Sequence, residues 1–467
     1  MTAPLKRVEH DLLGDIEVPA DAYWGAHAAR AQLNFPLSGR SVGDYPVLVI
    51  ALANVKAAAA MANRELGELD ATVADAIVAA CGEIADGSLH EQFVVGILQG
   101  GAGTSTNMNA NEVVANRALE LLGHQRGEYR YLHPNDHVNR GQSTNDVYPT
   151  ALRIALHHSS DALLATLFHL ERTFEGKAIE FGDVVKMGRT QLQDAVPMTL
   201  GQEFHGYAIM VEEARHRLFE GQVLLREVNL GGTAIGTGLN AHPDYCALAI
   251  QHLSELSGVS VVAAVDLVAA TQDVSALVHL SSVLKNVAIK LSKISNDLRL
   301  LSSGPQTGLG DVYLPPVQAG SSIMPGKVNP VIPELVNQVA FAVIGRDVTV
   351  SLAAEGGQLQ LNAFEPAIAR ALLDNISELD SACLVLADRC IAGITTDQEE
   401  LRMRVEQSVG LATAVAPIVG YRIASELATE ALVTGRGVRE LVRDRSGTDS
   451  EESERSLAAI DAMVRPY

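Results

Sequence analysis

Apolar residues recur every three or four positions over the most regular stretch of the chain, residues 277–301. They stand at positions 277, 280, 284, 287, 288, 291, 294, 298 and 301, which lie on one face of an α-helix. Ser303-Gly304-Pro305 follows at once, and glycine followed by proline typically stops a helix. The pattern predicts a helix over 277–301 that buries one face.

Three more long helices are predicted. The first spans about 197–228, the second follows Asn145 to about residue 180, and the third begins at Pro330 with Asn329 as its N-cap. A helix of about 30 residues is about 45 Å long, which is more than a compact monomer needs. We therefore predict a mostly all-α fold, with a rod-like bundle that buries its faces against other copies of the chain.

The chain divides into three predicted domains. Residues 1–140 mix shorter helices with turns such as the glycine-rich segment 100–103, and residues 141–395 hold the long helices. Residues 396–467 form a small, more charged C-terminal domain. The prediction is therefore an N-terminal domain, a central long-helix bundle domain and a small C-terminal domain.

Composition narrows the class of protein. The 467 residues include 35 Lys and Arg against 56 Asp and Glu, a formal charge of −21. This excess of acid argues against binding to nucleic acid or to anionic membranes, which needs a basic surface. Apolar residues at 47% and charged residues at 19% exclude a disordered chain. The low aromatic content, 4%, suits closely packed helices better than a β-sandwich.

Cysteine usage and hydropathy indicate the compartment. None of the four cysteines forms a C-x-x-C pair, so a disulfide framework or zinc ribbon is not expected. The first fifteen residues lack the apolar core of a signal peptide, and no apolar run approaches the ~18 residues of a membrane span. We predict a cytoplasmic protein.

Three polar stretches stand beside apolar helices. They are TSTNMNANE at 104–112, HPNDHVN running into QSTND at 133–146, and GSSIMPGKVNP at 320–330. Hydroxyl and amide groups at this density can form a preorganised cage of donors around a small anion. The alternative is that they only cap helices and form turns. Because all three lie next to the longest helices, we favour the anion cage.

The third stretch superficially resembles a phosphate-binding loop. Five residues separate Gly320 from Gly326, where a Walker loop has four, and Val328 stands where that loop needs a hydroxyl for magnesium. Nucleotide binding is therefore rejected. What remains is a glycine-bounded loop whose N–H groups and Lys327 favour a carboxylate at a helix N-terminus.

No metal site is predicted. His133 and His137 are four residues apart, but Pro134 lies between them and no third ligand is evident, so turn or surface roles are favoured. The signatures G-x-S-x-G and H-E-x-x-H are absent, which leaves serine-hydrolase and zincin chemistry without support. We expect no obligatory cofactor, with a divalent cation such as Mg²⁺ as an optional activator.

The same stretches identify a family resemblance. GSSIMPGKVNP resembles the signature segment of the fumarase/aspartase superfamily, and the likeness extends from Leu12-Leu13-Gly14 into the C-terminal domain. Within the superfamily the chain looks most like the ammonia-lyase branch, through MGRTQLQDAVP, NLGGTAIGTG, QSTND and QLQLN. Fumarate hydratases usually have histidine where Gln191 stands.

The resemblance implies a three-domain subunit whose long central helices assemble into a tetrameric core, with each active site built from three chains. The implied reaction is reversible deamination of L-aspartate to fumarate and ammonia, by removal of the Cβ proton through an aci-carboxylate intermediate. Stabilising that doubly charged carboxylate is then the main catalytic task.

Residue by residue, the resemblance makes Ser321 the general base. A serine can act so only if loop N–H groups and a nearby cation stabilise its alkoxide. Arg30 is a further basic candidate, with a surface role as its alternative. The implied contacts with the substrate's carboxylates and amino group are Thr104, Ser143, Thr144, Asn145, Thr190, Gln191, Ser322, Lys327 and Asn329.

Three alternatives stay open at this stage. Fumarate hydratase shares the fold and the intermediate but loses water in place of ammonia. A lyase acting on a larger amino-acid adduct, such as argininosuccinate, is disfavoured because the ammonia-lyase-like stretches cover the whole chain. A structural protein on a lyase scaffold, as in the eye lens, is disfavoured because a retired site need not keep Ser321 and Lys327.

Overall fold

The computed structural model describes residues 5–37, 39–446 and 451–465. The first four residues of the predicted N-terminal domain, and residues 447–450 and 466–467 of the predicted C-terminal domain, lie outside the described residues. Helices account for 64% of the chain, so the predicted mostly all-α class is confirmed. The helices are α1 Ala26–Asn34, α2 Pro46–Glu65, α3 Ala71–Ala85, α4 Thr104–Leu121, α5 Thr144–Glu180, α6 Leu200–Val223, α7 Tyr245–Ser257, α8 Leu267–Gln272, α9 Ser275–Leu301, α10 Val331–Glu355, α11 Glu365–Arg389, α12 Gln398–Gln407, α13 Ala412–Val419, α14 Tyr421–Thr434, α15 Val438–Ser446 and α16 Glu451–Met463.

The strands of the described residues form three two-stranded sheets. β1 pairs with β2 and β3 with β4 in antiparallel hairpins, and β5 pairs with β6 in parallel. Their bounds are β1 Lys6–Asp11, β2 Gly14–Pro19, β3 Val185–Thr190, β4 Gln193–Thr199, β5 Glu227–Val228 and β6 Val262–Ala263.

The long helices agree with the sequence patterns in three cases and differ in one. The helices predicted over 277–301 and 145–180 appear as α9 and α5, and the one predicted from Pro330 begins one residue later as α10. The prediction over 197–228 is wrong at both ends, since Pro197 pairs with Met187 in the β3–β4 hairpin and α6 covers only the middle. The side-chain amide of Asn329 donates to the carbonyl of Gly320, and the N-cap role of this residue stays a prediction.

Two compact units can be distinguished within the chain. One comprises Met1–Leu164, His216–Ala288 and Phe341–Leu379; the other comprises Ala165–Arg215, Ile289–Ala340 and Asp380–Tyr467. The boundaries of the three predicted domains therefore stay a prediction.

In the first unit, α2 packs against α3 and α7. Its sequence ALANVKAAAAMAN supplies mainly small side chains, and most of them are fully buried. Small residues let neighbouring helices approach closely, which explains how the fold forms a core with few aromatic residues. Lys56 lies in the middle of this buried stretch.

In the second unit, the C-terminal helices have a core of their own. Val405, Leu411, Val415 and Leu427 are buried there together with Met187 of β3. The hairpin β3–β4 is thus anchored on the C-terminal helices by an apolar contact.

Two helices of the described chain are long and apolar enough to cross a membrane. These are α2, which is 72% buried over its most apolar window, and α10, which is 33% buried. The expectation that no apolar run approaches such a length is therefore wrong. Burial within the fold accounts for α2. In α10, the large side chains Leu335, Phe341, Val348 and Leu352 are exposed.

Candidate active site

Gly103 lies directly before the polar stretch 104–112, at the start of α4. Gly103 precedes α4 with φ +90°, and a Cβ at this position would lie 2.6 Å from the ring of Tyr148. Glycine therefore fits where a side chain would collide with a buried ring. The turn leaves Thr104 exposed as the first residue of α4, at a helix end whose N–H groups favour anions.

Asp146 fixes the N-terminus of α5. Its buried carboxylate accepts hydrogen bonds from the N–H groups of Ser143 at 2.9 Å, Thr233 at 2.9 Å and Gly231 at 3.1 Å. Burial raises the pKa of Asp146 to about 6, and these N–H groups and Lys56 act in the opposite direction. The carboxylate therefore holds the backbone segment that carries three of the predicted site residues.

Amide side chains orient the next two residues of α5. Asn107 in the first turn of α4 donates to the hydroxyl of Thr144 at 3.1 Å, which joins the two helix N-termini. Asn145 donates to the carbonyl of Ala234 at 2.8 Å and accepts from Asn229 at its own carbonyl at 2.9 Å. Thr144 and Asn145 thus stand in fixed positions before any ligand binds.

Behind these residues lies a fully buried lysine. Lys56 Nζ donates to the side-chain oxygens of Asn139 at 3.0 Å and Gln142 at 2.8 Å. The same Asn139 oxygen accepts from the amides of Asn107 at 3.2 Å and Asn111 at 3.1 Å. Burial lowers the pKa of Lys56 to about 7. One amide oxygen therefore connects the ammonium group with the side chain that binds the hydroxyl of Thr144.

The hairpin β3–β4 presents Thr190 and Gln191. Its two-residue turn, Gln191-Leu192, has φ values of +53° and +64°, a left-handed conformation usually supplied by asparagine and glycine. The side chains of Thr190, Gln191 and Leu192 are exposed. Gln191 also lines a cavity of about 510 Å³ within the second unit. Positive φ at both central residues is the geometry that a two-residue hairpin turn requires, so these angles place Gln191 at the tip of the hairpin.

Asp311 anchors this hairpin through ion pairs with β3. Its fully buried carboxylate lies 2.6 Å from Arg189, 3.0 Å from Lys186 and 3.5 Å from Arg404. Lys186 in turn pairs with Glu203 at 2.7 Å. Lys186 and Arg189, the two cations of β3, are thus both bound to the carboxylate of Asp311. Arg189 directly precedes Thr190 in the sequence.

The 320–329 loop is closed by its own backbone. The N–H of Gly320 donates to the carbonyl of Lys327 at 3.0 Å, and the amide of Asn329 donates to the carbonyl of Gly320 at 2.9 Å. Within the loop, Ser321 Oγ accepts from the N–H groups of Met324 at 3.0 Å and Ile323 at 3.2 Å. The serine oxygen therefore has the two backbone donors that an alkoxide would need.

Two further loop residues face solvent in the single chain. Ser322 and Lys327 are exposed, so their side chains are available to a ligand or to another subunit. Gly326 has φ +81°, which explains a glycine at the turn before Lys327.

Several weaker candidates have other roles. Arg30 forms two hydrogen bonds with Asp11, at 2.7 and 2.9 Å, and therefore braces the β1–β2 hairpin. His133 Nδ1 accepts from the N–H of Asn135, and His137 Nδ1 accepts from the N–H of His133. These ring nitrogens cap a turn, in agreement with the favoured interpretation of the pair.

Within the part of the chain that the structure describes, one group has the spacing of metal ligands. His157, His158 and Asp161 place one ligand atom each within 4.8 Å of the others. Arg226 Nε, however, lies 3.5 Å from His157 Nε2, which favours a proton on His157 Nδ1 facing Asp161. The group is therefore better explained as a hydrogen-bonded cluster.

The predicted site residues fall into three groups. The helix N-termini carry Thr104, Ser143, Thr144 and Asn145; the hairpin carries Thr190 and Gln191; the loop carries Ser321, Ser322, Lys327 and Asn329. The helix-terminal group is brought together by the bond between Asn107 and Thr144. The sequence did not single out Lys56 or Asp311, and it indicated Asn139 only as a member of the polar stretch 133–146. For Lys56 the available signal was a charge inside a stretch of small apolar residues.

Comparison with known proteins identifies the family of the chain. A family model described as "Lyase" matches residues 14–345, and one described as "Fumarase C C-terminus" matches residues 411–464. The aspartate ammonia-lyase of Pseudomonas aeruginosa is 58% identical over 464 residues, covering 98% of this chain and 97% of its own. Those of Helicobacter pylori and Escherichia coli are each 51% identical over 461 residues; these cover 99% and 98% of this chain, and 98% and 96% of their own.

Solved structures show the same fold. A fumarate lyase:delta crystallin from Brucella melitensis, bound to cobalt, superposes with a TM-score of 0.95 at 54% identity and covers 98% of this chain and 99% of its own. A class II fumarase from Schistosoma mansoni gives 0.92 at 36% identity, covering 99% and 98%. The fold and the polar loops define a lyase of the fumarase type. The chain belongs to this lyase family, the fumarase/aspartase superfamily.

Proposed function

We propose that the protein is an aspartate ammonia-lyase, an enzyme that reversibly converts L-aspartate into fumarate and ammonia. The observation that carries this proposal is identity of 51–58% to aspartate ammonia-lyases over nearly the whole chain. The class II fumarase is only 36% identical, which disfavours fumarate hydratase.

The reaction begins when Ser321 Oγ, as an alkoxide, takes the proton from Cβ of aspartate. The electron pair moves into the adjacent carboxylate and forms the aci-carboxylate, which then expels ammonia as the Cα–N bond breaks. Two backbone N–H groups already point at Ser321 Oγ and support the alkoxide. An oxyanion donor of this kind is worth about 3–4 kcal/mol.

The remaining side chains bind the substrate. In this proposal Ser322, Lys327 and Asn329 contact the carboxylate that becomes the aci-form, and Lys327 at about 4 Å would contribute about 4 kcal/mol at an effective dielectric near 20. The loop closes over the substrate and excludes water. The remaining carboxylate and amino-group contacts are Thr104, Ser143, Thr144, Asn145, Thr190 and Gln191.

We further propose a homotetramer in which each active site takes residues from three chains. The exposed apolar side chains of α10, among them Phe341 and Leu352, support this assembly because a helix of 25 residues does not leave such a face in water. The predicted site residues also stand on separate segments.

A substrate assay separates the two lyase reactions. Fumarate absorbance should rise with L-aspartate as substrate and change little with L-malate. A signal from malate with none from aspartate would make the protein a fumarate hydratase.

A mixing experiment tests the shared site. Ser321→Ala and the double variant Ser143→Ala/Thr144→Ala are each expected to be nearly inactive. Co-assembled tetramers should regain about a quarter of wild-type activity, since random mixing leaves that share of sites intact. If co-assembled tetramers stay inactive, Ser321 and the Ser143–Thr144 pair of each site come from the same chain.

Metal dependence and location complete the proposal. We propose that no metal is obligatory and that a divalent cation such as Mg²⁺ acts at most as an activator; dialysis against EDTA should then leave basal turnover.

We also propose a cytoplasmic location. It is supported by four free thiols, of which Cys81, Cys383 and Cys390 are buried. Cell fractionation tests it.

A further inference from the structure

Lys56 has no counter-charge in contact with it. Its side chain is fully buried in α2, and both hydrogen-bond acceptors of its Nζ are neutral amide oxygens, those of Asn139 and Gln142. Among the described residues, no carboxylate lies within ion-pair distance of Nζ. A buried charge is retained at a high cost unless something compensates for it.

The nearest charge does not remove this imbalance. Asp146 interacts with Lys56 across space, but its carboxylate is already bound to three backbone N–H groups. Cys81 is the other group that acts on Lys56, and burial raises the pKa of its thiol to about 12, so it stays neutral. No negatively charged group therefore contacts Lys56 Nζ, and an incoming anion would favour its ammonium form against the burial that lowers its pKa to about 7.

A chain of hydrogen bonds leads from this charge to the proposed substrate contacts. Asn139 Oδ1 accepts hydrogen bonds from Lys56 Nζ and from Asn107 Nδ2. The same Asn107 Nδ2 also donates to Thr144 Oγ1 at 3.1 Å. Gln142, the second partner of Lys56, directly precedes Ser143 in the sequence. The ammonium group thus fixes the hydroxyl of Thr144 and the backbone before it.

We propose that Lys56 is a positioning residue for the lyase reaction, whose buried positive charge orients the start of α5 and favours the doubly charged aci-carboxylate over the substrate. The inference rests on the proposed function. Lys56 touches no substrate; it acts through Asn139 and Asn107, and through a field that a low-dielectric interior screens weakly.

Two inhibitors can separate charge stabilisation from simple structural support. Succinate resembles the substrate, whereas the dianion of 3-nitropropionate carries its charge on a nitronate that imitates the aci-carboxylate. In Lys56→Gln and Lys56→Met, kcat should fall at least about tenfold, with a similar loss of nitronate affinity and a smaller change in KM and succinate affinity. Lys56→Arg, which keeps the charge, should recover most of both losses.

Lys177→Gln is the matched control. Lys177 is also buried, but it binds Glu180 and the carbonyl of Ile394, neither of which is a proposed substrate contact. This variant should lower thermal stability and leave the ratio of nitronate to succinate affinity unchanged.

Three outcomes would overturn the proposal. They are an assembled Lys56→Gln enzyme with kcat within about twofold of wild type, equal losses of affinity for both inhibitors, and no recovery in Lys56→Arg. If Lys56→Gln does not assemble, Lys56→Met and Lys56→Arg are compared in the same way. Wild-type protein that is inactive on aspartate would refute the proposed function instead, which the first assay reveals before any variant is made.

Discussion

Ser321 Oγ and the backbone N–H of Met324 lie 3.0 Å apart, with the serine oxygen as acceptor. The N–H of Ile323 adds a second donor at 3.2 Å. A serine hydroxyl in water is too weakly acidic to ionise at neutral pH, so almost no alkoxide is present to act as a base. The surroundings therefore have to lower the pKa of the hydroxyl. The loop supplies such surroundings from its own backbone.

Ser321→Ala tests the proposed base directly. Loss of the group that removes the Cβ proton should reduce kcat about 10²–10⁴-fold, while the assembly stays intact because Ser321 is not part of a core. Steady-state kinetics on aspartate together with size-exclusion chromatography measure both properties. Ser425→Ala is the control, at a half-buried serine of α14 whose hydroxyl donates to the carbonyl of Tyr421. Undiminished turnover in Ser321→Ala would exclude the base role.

Gly320→Ala should disable the loop without unfolding the protein. A Cβ at Gly320 would lie 2.3 Å from the carbonyl oxygen of Lys327, so the bond that closes the loop cannot form. We expect a large fall in kcat/KM and a melting temperature close to wild type. In contrast, Gly82→Ala in α3 meets no atom within 4 Å and should be neutral or slightly stabilising. Equal activity in both variants would show that the closed loop is unnecessary.

Local periodicity predicted α5 and α9 to within two residues, because each helix keeps an apolar face along its length. It failed at 197–228 because β4 is fixed by pairing with β3, as Pro197 does with Met187, and a short strand has little periodicity of its own. Such tertiary pairing cannot be inferred from a local pattern.

In the candidate site, too, the sequence predicted local segments but not the contacts between distant residues. The motif at 320–330 predicted the loop, but it could not show that the partners of Ser321 Oγ are backbone groups. The contact between Lys56 and Asn139 joins residues 83 positions apart. Two distant segments, β3 and α12, supply the three cations that surround Asp311. A lysine inside an alanine-rich helix was visible in the sequence; its partners were not.

Asp311→Asn should loosen the hairpin that carries Thr190 and Gln191. Removing the carboxylate leaves Lys186 and Arg189 without their shared buried partner, and breaking a buried ion pair costs about 3–5 kcal/mol. The melting temperature should fall and KM for aspartate should rise more than kcat falls. Asp388→Asn, which affects only the exposed pair with His169, is the control. A variant with unchanged stability and KM would show that Asp311 does not hold the hairpin.

Glu365 should make folding stability depend on pH. Burial raises its pKa to about 7 from an ordinary value of 4.5, against the opposing effect of Arg153. A group whose pKa is higher in the folded state stabilises fully below its unfolded pKa, and this stability is lost as pH rises through the folded pKa. The contribution at stake is about 3 kcal/mol at most.

Glu365→Gln removes this proton-binding group with little change in shape. Its unfolding free energy in urea, at one fixed subunit concentration, should therefore fall less steeply than that of wild type between about pH 4.5 and 7. Burial also raises the pKa of Glu112 to about 8, but that residue is present in both proteins and its effect cancels in the difference. Parallel curves for the two proteins would mean that the pKa of Glu365 is the same in the folded and unfolded states, with Arg153 fully offsetting the effect of burial.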